Sequence, residues 1–148
     1  MASQPRSGFP SSEEIGRRLA IAGQRWTNGR RRVVEAISDA SAPLSVSEIQ
    51  HAVGPEVPLS TLYRIVSDLV DARVLVKLEF SEGFARFELD EELAAHHHHL
   101  VCQTCGSVVD LELDELERVV HATTRTIRQR SGFEVSSHFL QTRVFVER

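Results

Sequence analysis

Four consecutive histidines occupy residues 96–99, in the interior of the chain, and the segment LVCQTCG follows them directly. An expression tag belongs at a terminus, so the run is part of the protein's own structure. On a β-strand, successive side chains point to opposite faces of the sheet. If the run is extended, His96 and His98 share one face while His97 and His99 share the other. The run then provides two pairs of imidazoles that serve two different sites.

Each pair of imidazoles has the spacing of two ligands to one metal ion. Alternate residues on a strand lie roughly 6.5–7 Å apart at Cα, and both rings can reach one ion with bonds of about 2.1 Å. Candidates to complete the first pair are Glu117, on a predicted helix, and His138, on the predicted last strand. Carboxylates near the predicted hairpin and connector are candidates for the second pair: Asp71, Glu88 and Asp90. The alternative is a solvated histidine patch with adventitious affinity for zinc.

The chain contains two cysteines, Cys102 and Cys105, which are three positions apart. Two cysteines are too few for a disulfide framework, and their spacing is typical of a metal clip or a redox pair. No apolar run approaches the ~20 residues that a membrane span requires. We therefore expect a cytoplasmic protein without a membrane segment.

Charge is distributed unevenly along the chain, whose net charge is −4. Residues 16–34 contain six arginines and no acid, whereas residues 91–148 contain nine acids and six arginines. The negative total argues against indiscriminate binding to nucleic acid, but a basic first part and an acidic, histidine-rich second part suggest two functions in one chain. The arginine cluster is also compatible with an ordinary solvated face.

The first part of the chain has the pattern of a winged helix-turn-helix domain over residues 13–89. Residues 1–12 are predicted to be a flexible N-terminus. Helical spacing then predicts four helices, which begin at Ser12, Thr27, Ser45 and Pro58. The fourth carries an apolar stripe: Leu62, Ile65, Val66, Leu69 and Val70. The alternating segments VLVKLEF and FARFEL, joined by the turn SEG, predict a hairpin, and the helix before it would enter the DNA major groove.

The second part of the chain predicts a small sheet with one helix. DEELAA, residues 90–95, is the predicted hinge, and residues 96–148 form the second domain. HHHHLVC and SVVDLEL are predicted strands around the cysteine turn, followed by a helix that ends at Gly132 and a final strand, FEVSSHFLQTRVFV. We expect this unit to pair with a copy of itself. The fold class is α+β, with an N-terminal winged helix-turn-helix domain and a small C-terminal α/β dimerisation domain.

These motifs, in this order, resemble the ferric-uptake-regulator (Fur) family of metal-sensing repressors over residues 23–145. GQRWTNGR resembles the family's approach to its first DNA-binding helix, and LSTLYRIVSDLVDA resembles its recognition helix. HHHHLVCQTCG resembles the sensor strand with its zinc knuckle, and GFEVSSHFL resembles the last strand. The resemblance implies a homodimer that represses transcription by binding a palindromic operator in double-stranded DNA when metal is bound.

The resemblance also implies which residues contact DNA. Tyr63 and Arg64 correspond to positions that touch bases and phosphates in the major groove. Ser60 and Thr61 correspond to the start of that helix, where backbone N–H groups favour phosphate. Arg25 corresponds to a residue that reaches toward the minor groove. The alternative for Tyr63 is a core aromatic residue.

Two sets of metal ligands follow from the same resemblance. The set inside the dimerisation domain consists of His96, His98, Glu117 and His138. The sensing set consists of His97, His99, Asp71 and Glu88, with Asp90 as an alternative to Glu88.

The metal itself depends on the branch of the family. The zinc-sensing branch has an Asp that matches Asp71, but also a cysteine at the end of the hairpin, where this chain reads RFELDEE. The iron-sensing branch has a Glu that matches Glu88, but also a histidine that falls near Pro43. The uninterrupted histidine run favours the zinc branch. We therefore expect Zn²⁺, with Fe²⁺ or Mn²⁺ binding and peroxide sensing as alternatives.

Most relatives hold a structural zinc with two Cys-x-x-Cys pairs, the second just after the last strand. At that point this chain reads VFVER, with Val146 in place of the first cysteine. Cys102 and Cys105 therefore form an incomplete structural-zinc clip. We expect the site to be lost, with ligands from another protomer or a truncated chain as alternatives.

A zinc hydrolase and a zinc-buffering DNA-binding protein are the two alternatives to a metal-responsive repressor. A zinc hydrolase would need an open metal site beside a general base, but the chain has no H-E-x-x-H motif. We therefore expect no enzymatic activity. A DNA-binding protein whose histidines merely buffer zinc would keep its operator affinity when a chelator is added.

Overall fold

The computed structural model describes residues 10–79, 85–138 and 140–144. The chain divides into two compact units, the first up to Ala95 and the second from His96 onward. Three predicted features lie outside the described residues: positions 1–9 of the flexible N-terminus, the hairpin turn at 81–83, and the position of Val146.

The first unit begins with four helices: α1 (Ser12–Ile21), α2 (Asn28–Ser38), α3 (Val46–Val53) and α4 (Leu59–Asp71). The N-cap of α1 is Ser11, one residue before the predicted Ser12, because the Ser11 hydroxyl accepts the N–H of Glu14. Pro10, which was assigned to the flexible terminus, is buried. The predicted capping box of α3 is confirmed, since Ser45 and Glu48 each cap the other's backbone N–H.

The core of the first unit is formed by the apolar faces of these helices. Its fully buried members come from every helix and from the segment after α4: Ile15, Leu19, Val33, Val34, Ile37, Ile49, Leu62, Leu69 and Val74. The stripe predicted on α4 is largely confirmed, because Leu62, Ile65, Val66 and Leu69 are buried and Val70 is half-buried. The opposite face of α4 is therefore left for solvent or a partner.

A β-hairpin follows the helices, as predicted. Strands β1 (Leu75–Glu79) and β2 (Ala85–Leu89) pair antiparallel. Leu44 adds a bridge to Phe87, with N–H to O distances of 3.0 and 2.7 Å. The Arg86 guanidinium donates to the Pro43 carbonyl (3.0 Å) and to Glu48 (2.8 Å), which joins the hairpin to the start of α3.

Five of the six clustered arginines make contacts within the first unit rather than forming one solvated face. Arg30 is buried, and its Nη2 donates to Asp68 and to Gln24, each at 2.6 Å. Arg17 and Arg18 pair with acids, and so does Arg32. Arg31 lies over the ring of Trp26, with 5.2 Å from Cζ to the centroid. Arg25 is exposed. Most of this positive charge therefore stabilises the domain itself.

The second unit contains β3 (His98–Cys102), β4 (Val108–Leu111), α5 (Asp114–Ser131) and β5 (Gln141–Val144). The sheet order is β4-β3-β5, with β3 antiparallel to β4 and parallel to β5. Helix α5 ends at Gly132, as predicted, whose positive φ of 74° suits glycine. The predicted last strand is too long at its start, because residues 133–138 lie outside any strand.

Helix α5 presents apolar side chains to its surroundings. None of its residues is buried, and Val119 and Ile127 are 62% and 41% exposed. Phe133, just beyond it, is 76% exposed. An exposed apolar surface of this kind marks a protein interface. In the described ranges, no helix combines the length and the apolar character needed to cross a membrane.

Candidate metal centre

The structure brings together the four side chains of the first predicted set. Glu117 lies at the centre: its Oε1 is 2.5 Å from His98 Nε2 and 3.1 Å from His138 Nε2. His96 Nε2 lies 3.1 Å from His138 Nε2 and 3.5 Å from Glu117 Oε1. One ligand atom from each residue lies within 4.8 Å of all the others. We name this group the first cluster.

Three separate elements position the first cluster. His98 is the first residue of β3, and Glu117 lies in the first turn of α5. His138 lies in the irregular segment before β5, so its predicted place on a strand is wrong. His96 precedes β3 but keeps the alternation, since its ring centroid lies 4.9 Å from that of His98. The predicted pairing of these two rings therefore extends beyond the hydrogen-bonded strand.

The electrostatics of the first cluster suit a cation. The hydrogen bond from His98 lowers the pKa of Glu117, partial burial opposes this, and His138 adds to the lowering. The carboxylate is therefore ionised at neutral pH. The nitrogens that donate to it are the atoms that would coordinate a metal ion, which would take the place of their protons. Three imidazoles and one carboxylate form a donor set that fits zinc, iron(II) or manganese(II).

The second pair of histidines lies in a separate group. The Nε2 atoms of His97 and His99 lie 3.9 and 3.8 Å from Asp110 Oδ1, and the two ring centroids are 5.0 Å apart. Their ligand atoms lie within 4.8 Å of one another. His99 is buried, with 2% of its surface exposed. We name these three residues the second cluster. No ring belongs to both clusters.

Asp110 is a candidate ligand that the sequence reasoning missed. It lies on β4, directly opposite His99 in the β3–β4 register. The turn around the Cys-x-x-Cys motif sets that register: the Cys102 N–H donates to Ser107 O, and the Gly106 N–H donates to Cys102 O. Asp110 could have been predicted from the sequence by pairing the two predicted strands across this short turn, because that register places it opposite His99.

The three carboxylates predicted to complete the second pair belong to the first unit. Asp71 is the exposed last residue of α4, and Glu88 is buried on β2. Asp90 follows β2, where its Oδ1 accepts from Arg18 Nη1 (3.2 Å) and from the N–H of Glu92 (3.1 Å). The Asp90 carboxylate therefore already has hydrogen-bond partners within its own domain. Asp71 and Glu88 stay predictions as metal ligands.

Both cysteines are free thiols: Cys102 is the last residue of β3, and Cys105 lies in the turn that follows. Cys102 is buried and Cys105 is exposed, with its Sγ 3.1 Å from Ser107 Oγ. The hydrogen bonds with Ser107 lower the pKa of the Cys105 thiol. Within the described ranges, neither cysteine belongs to a group of three or more potential ligands. The incomplete zinc clip stays a prediction.

The residues predicted to contact DNA lie on accessible surface of the first unit. Tyr63 is 58% exposed, which excludes the alternative of a core aromatic residue. Arg64 and Ser60 are exposed and Thr61 is half-buried, all on the first two turns of α4. No side chain caps that helix, which leaves its first N–H groups for a ligand or water. Arg25 is exposed before α2.

Comparison with known proteins identifies the family. A model of the ferric uptake regulator family matches residues 21–143. The chain is a member of that family. It is 40% identical over 133 residues to the ferric uptake regulation protein of Bacillus subtilis (strain 168), with 86% of this chain and 87% of that protein covered. The Escherichia coli (strain K12) protein is 29% identical over 126 residues, with 82% and 81% covered.

Solved structures of the Fur family share the fold. The Vibrio cholerae ferric uptake regulator matches with a TM-score of 0.67 and 26% identity, covering 88% of this chain and 98% of that one. The Helicobacter pylori regulator, at 23% identity, supports the fold alone, with a TM-score of 0.72 and coverage of 97% and 95%. The predicted α+β class, with a DNA-binding and a dimerisation domain, is confirmed.

Membership defines the general function. The chain is a metal-responsive transcription regulator that binds DNA and acts as a dimer. Fur regulators are transcription factors, so the prediction of no enzymatic activity is confirmed and the zinc hydrolase is excluded. Structures of family members contain zinc, manganese or iron. Family membership does not distinguish among these metals.

Proposed function

We propose that this Fur-family regulator is a repressor that responds to zinc and acts on genomic DNA in the cytoplasm. The observation that carries the proposal is the division of four adjacent imidazoles between two ligand clusters. The first cluster offers three nitrogens and one carboxylate oxygen, a number and type of ligand that suit tetrahedral zinc. Its ion would stabilise the dimerisation domain.

The second cluster is the proposed sensing site. His97, His99 and Asp110 provide three ligands, and an acidic residue of the first unit would complete the set, with Glu88 and Asp71 as the candidates. A ligand shifts a conformational equilibrium only by its differential affinity for the two states. Ligands drawn from both units would provide that difference. By reciprocity, operator DNA would tighten metal binding by the same factor.

The DNA ligand would be a palindromic operator. A dimer of winged helices binds two half-sites, with the recognition helices in successive major grooves roughly 34 Å apart. Tyr63 and Arg64 would contact bases and phosphates, Ser60 and Thr61 would bind phosphate at the start of α4, and Arg25 would reach the minor groove. The exposure of Tyr63, Arg64, Ser60 and Arg25 supports this assignment.

Iron(II) or manganese(II) is the second candidate. The names of the relatives favour iron, and the structure of the Pseudomonas aeruginosa regulator, 27% identical, contains manganese. A second cluster of five or six oxygen and nitrogen ligands would admit these ions, whereas four would favour zinc. Metal analysis of protein purified without added ions, followed by titration with each ion while DNA binding is measured, separates the candidates.

Replacing both His97 and His99 with alanine is expected to abolish metal-dependent DNA binding while the protein stays folded. The change removes two of the proposed sensing ligands and leaves the first cluster intact. The operator is first selected from a random-sequence library with zinc-loaded protein. Binding to this operator is then measured by mobility shift, once in the presence of zinc and once in the presence of a chelator. The matched control is His51→Ala with His121→Ala, two exposed helical histidines that should keep the response.

The Arg64→Ala variant should show the opposite pattern, with weaker DNA binding and unchanged metal stoichiometry. A His97→Ala/His99→Ala protein that still responds to metal would show that the second cluster is not the sensor. DNA affinity that chelator leaves unchanged in the wild-type protein would favour the zinc-buffering alternative.

A further inference from the structure

Arg18, on α1, connects three parts of the first unit: α1 itself, the segment after α4 and the segment after β2. Its Nε donates to Glu14 (3.0 Å), and its Nη1 donates to the Arg73 carbonyl (2.6 Å) and to Asp90 (3.2 Å). Its Nη2 donates to Glu92 at 2.5 Å. The side chain is 10% exposed although it carries a full charge. A planar guanidinium can make these contacts at once, whereas an ammonium group cannot.

Two of these contacts fix the segment that follows β2. Asp90 also donates its N–H to Val74 O (3.0 Å), and the N–H of Leu93 donates to Asp90 O (2.8 Å). Leu93 and Ala94 pack against the core of the first unit. Residues 90–94, which the sequence predicts to be most of a hinge, are therefore held on the DNA-binding unit.

The two histidines that follow Ala95 are held by the second unit instead. His96 and His97 precede β3, yet their rings lie in the first and second clusters, with partners from the second unit. Only Ala95 lies between the segment that Arg18 fixes and the two histidines that the clusters fix. Residues 90–94 are thus held by the first unit, and the residues from His96 onward by the second.

We propose that Arg18 is a positioning residue for the metal response, because it anchors residues 90–94 to the DNA-binding unit. This inference rests on the proposed function. Without the Arg18 contacts, this segment is held to the DNA-binding unit by the backbone hydrogen bond from Asp90 to Val74 and by the packing of Leu93 and Ala94. We expect the segment then to act as a flexible tether, which does not transmit an orientation. Ligation of His96 and His97 would still order the second unit, but the connecting segment would no longer fix the orientation of the DNA-binding unit.

The test compares Arg18→Gln with Arg17→Gln in the full chain. Arg17 is the matched control, since it is a neighbouring arginine whose side chain is 61% exposed and pairs with Glu14. The quantity measured is the ratio of DNA affinities with zinc and with chelator, on the selected operator. Coupling between two sites commonly gives a ratio of about 5 to 150. We expect the wild-type and Arg17→Gln proteins to lie in this range and Arg18→Gln to fall close to one.

Two further readouts separate positioning from general destabilisation. Zinc affinity of the first cluster in the absence of DNA should be unchanged in Arg18→Gln, because all four of its proposed ligands lie in the second unit. Hydrogen exchange at the amides of Glu92 and Leu93 should be faster than in the wild-type protein, with or without zinc. Arg18→Lys retains one ion pair, so it should show an intermediate ratio, and it carries the test if Arg18→Gln does not fold.

An Arg18→Gln protein that retains the wild-type ratio would overturn the inference and leave the proposed function intact. So would slow exchange at Glu92 and Leu93 in that variant. A wild-type ratio of one would overturn the proposed function itself, together with this inference.

Discussion

Replacing Asp68 with alanine is expected to lower the free energy of unfolding of the first unit by about 3 kcal/mol. The carboxylate pairs with Arg30 at 2.6 Å, and the two side chains are 20% and 11% exposed. Removing one partner of a buried ion pair costs roughly 3–5 kcal/mol because the other charge is left uncompensated. Because Asp68 is partly exposed, we expect a loss of stability at the lower end of this range. Urea unfolding measured by the fluorescence of Trp26, the only tryptophan, reports on this unit.

Asp71→Ala is the matched control for Asp68→Ala. Asp71 is an acid on the same helix but is exposed, so its loss should change stability by no more than about 0.5 kcal/mol. The double change Arg30→Met with Asp68→Leu should recover much of the loss, since apolar residues of similar volume replace a buried pair well. Equal effects of Asp68→Ala and Asp71→Ala would show that the pair does not hold the unit together.

The same ion pair shows why charge patterns were a weak guide to function in this chain. Six arginines without an acid suggested that the first part of the chain has a function of its own, with an ordinary solvated face as the alternative. Two of their partners, Asp68 and Glu56, lie far from the cluster in sequence, and only folding brings them close. Glu14, the partner of Arg17 and Arg18, lies just before the cluster on the same helix. A run of like charges in a sequence is therefore a poor guide to which of its side chains are free to contact a ligand.

Local patterns predicted the fold well because each depends on a few neighbouring residues. Helical spacing placed Leu62 and Leu69 in the core, and the Ser45–Glu48 pair marked the start of α3. Alternation of side chains along an extended chain separated the rings of residues 96–99 into two groups. These outcomes need no knowledge of long-range contacts.

The candidate site was predicted less completely because its remaining members depend on register and on irregular backbone. Asp110 enters the second cluster through the β3–β4 pairing, which is fixed by the geometry of the cysteine turn. His138 was predicted to be in the first cluster, but on a strand, whereas irregular backbone presents it. Asp90 accepts a hydrogen bond from Arg18, a contact that the sequence reasoning did not foresee, and its role as an alternative to Glu88 stays a prediction.

Zinc binding at the first cluster is expected to weaken by about 100-fold or more when Glu117 is replaced with glutamine. Even residues that only support a ligand change metal affinity by roughly 10- to 100-fold, and Glu117 is a direct ligand in our proposal. Zinc affinity is measured by competition with a chromophoric chelator. The His97→Ala/His99→Ala background removes the second cluster, so that the affinity measured is that of the first cluster. Glu115→Gln, whose side chain is 95% exposed in the same helical turn, should leave the affinity unchanged. Equal affinities of the two variants would exclude Glu117 as a ligand.

The pH dependence of the same measurement distinguishes the two kinds of ligand. The pKa of Glu117 is lowered by His98 and His138, so this carboxylate keeps its charge as the pH falls through the ordinary range for glutamate. An imidazole coordinates a metal ion only through a nitrogen that carries no proton, so protons compete with zinc for each histidine ligand. Zinc affinity should therefore fall steeply below about pH 6, because three of the four proposed ligands are imidazoles. The fall should be equally steep in Glu117→Gln, from a lower starting affinity. An affinity that stays constant from pH 7 to pH 5 would exclude histidine ligation at this cluster.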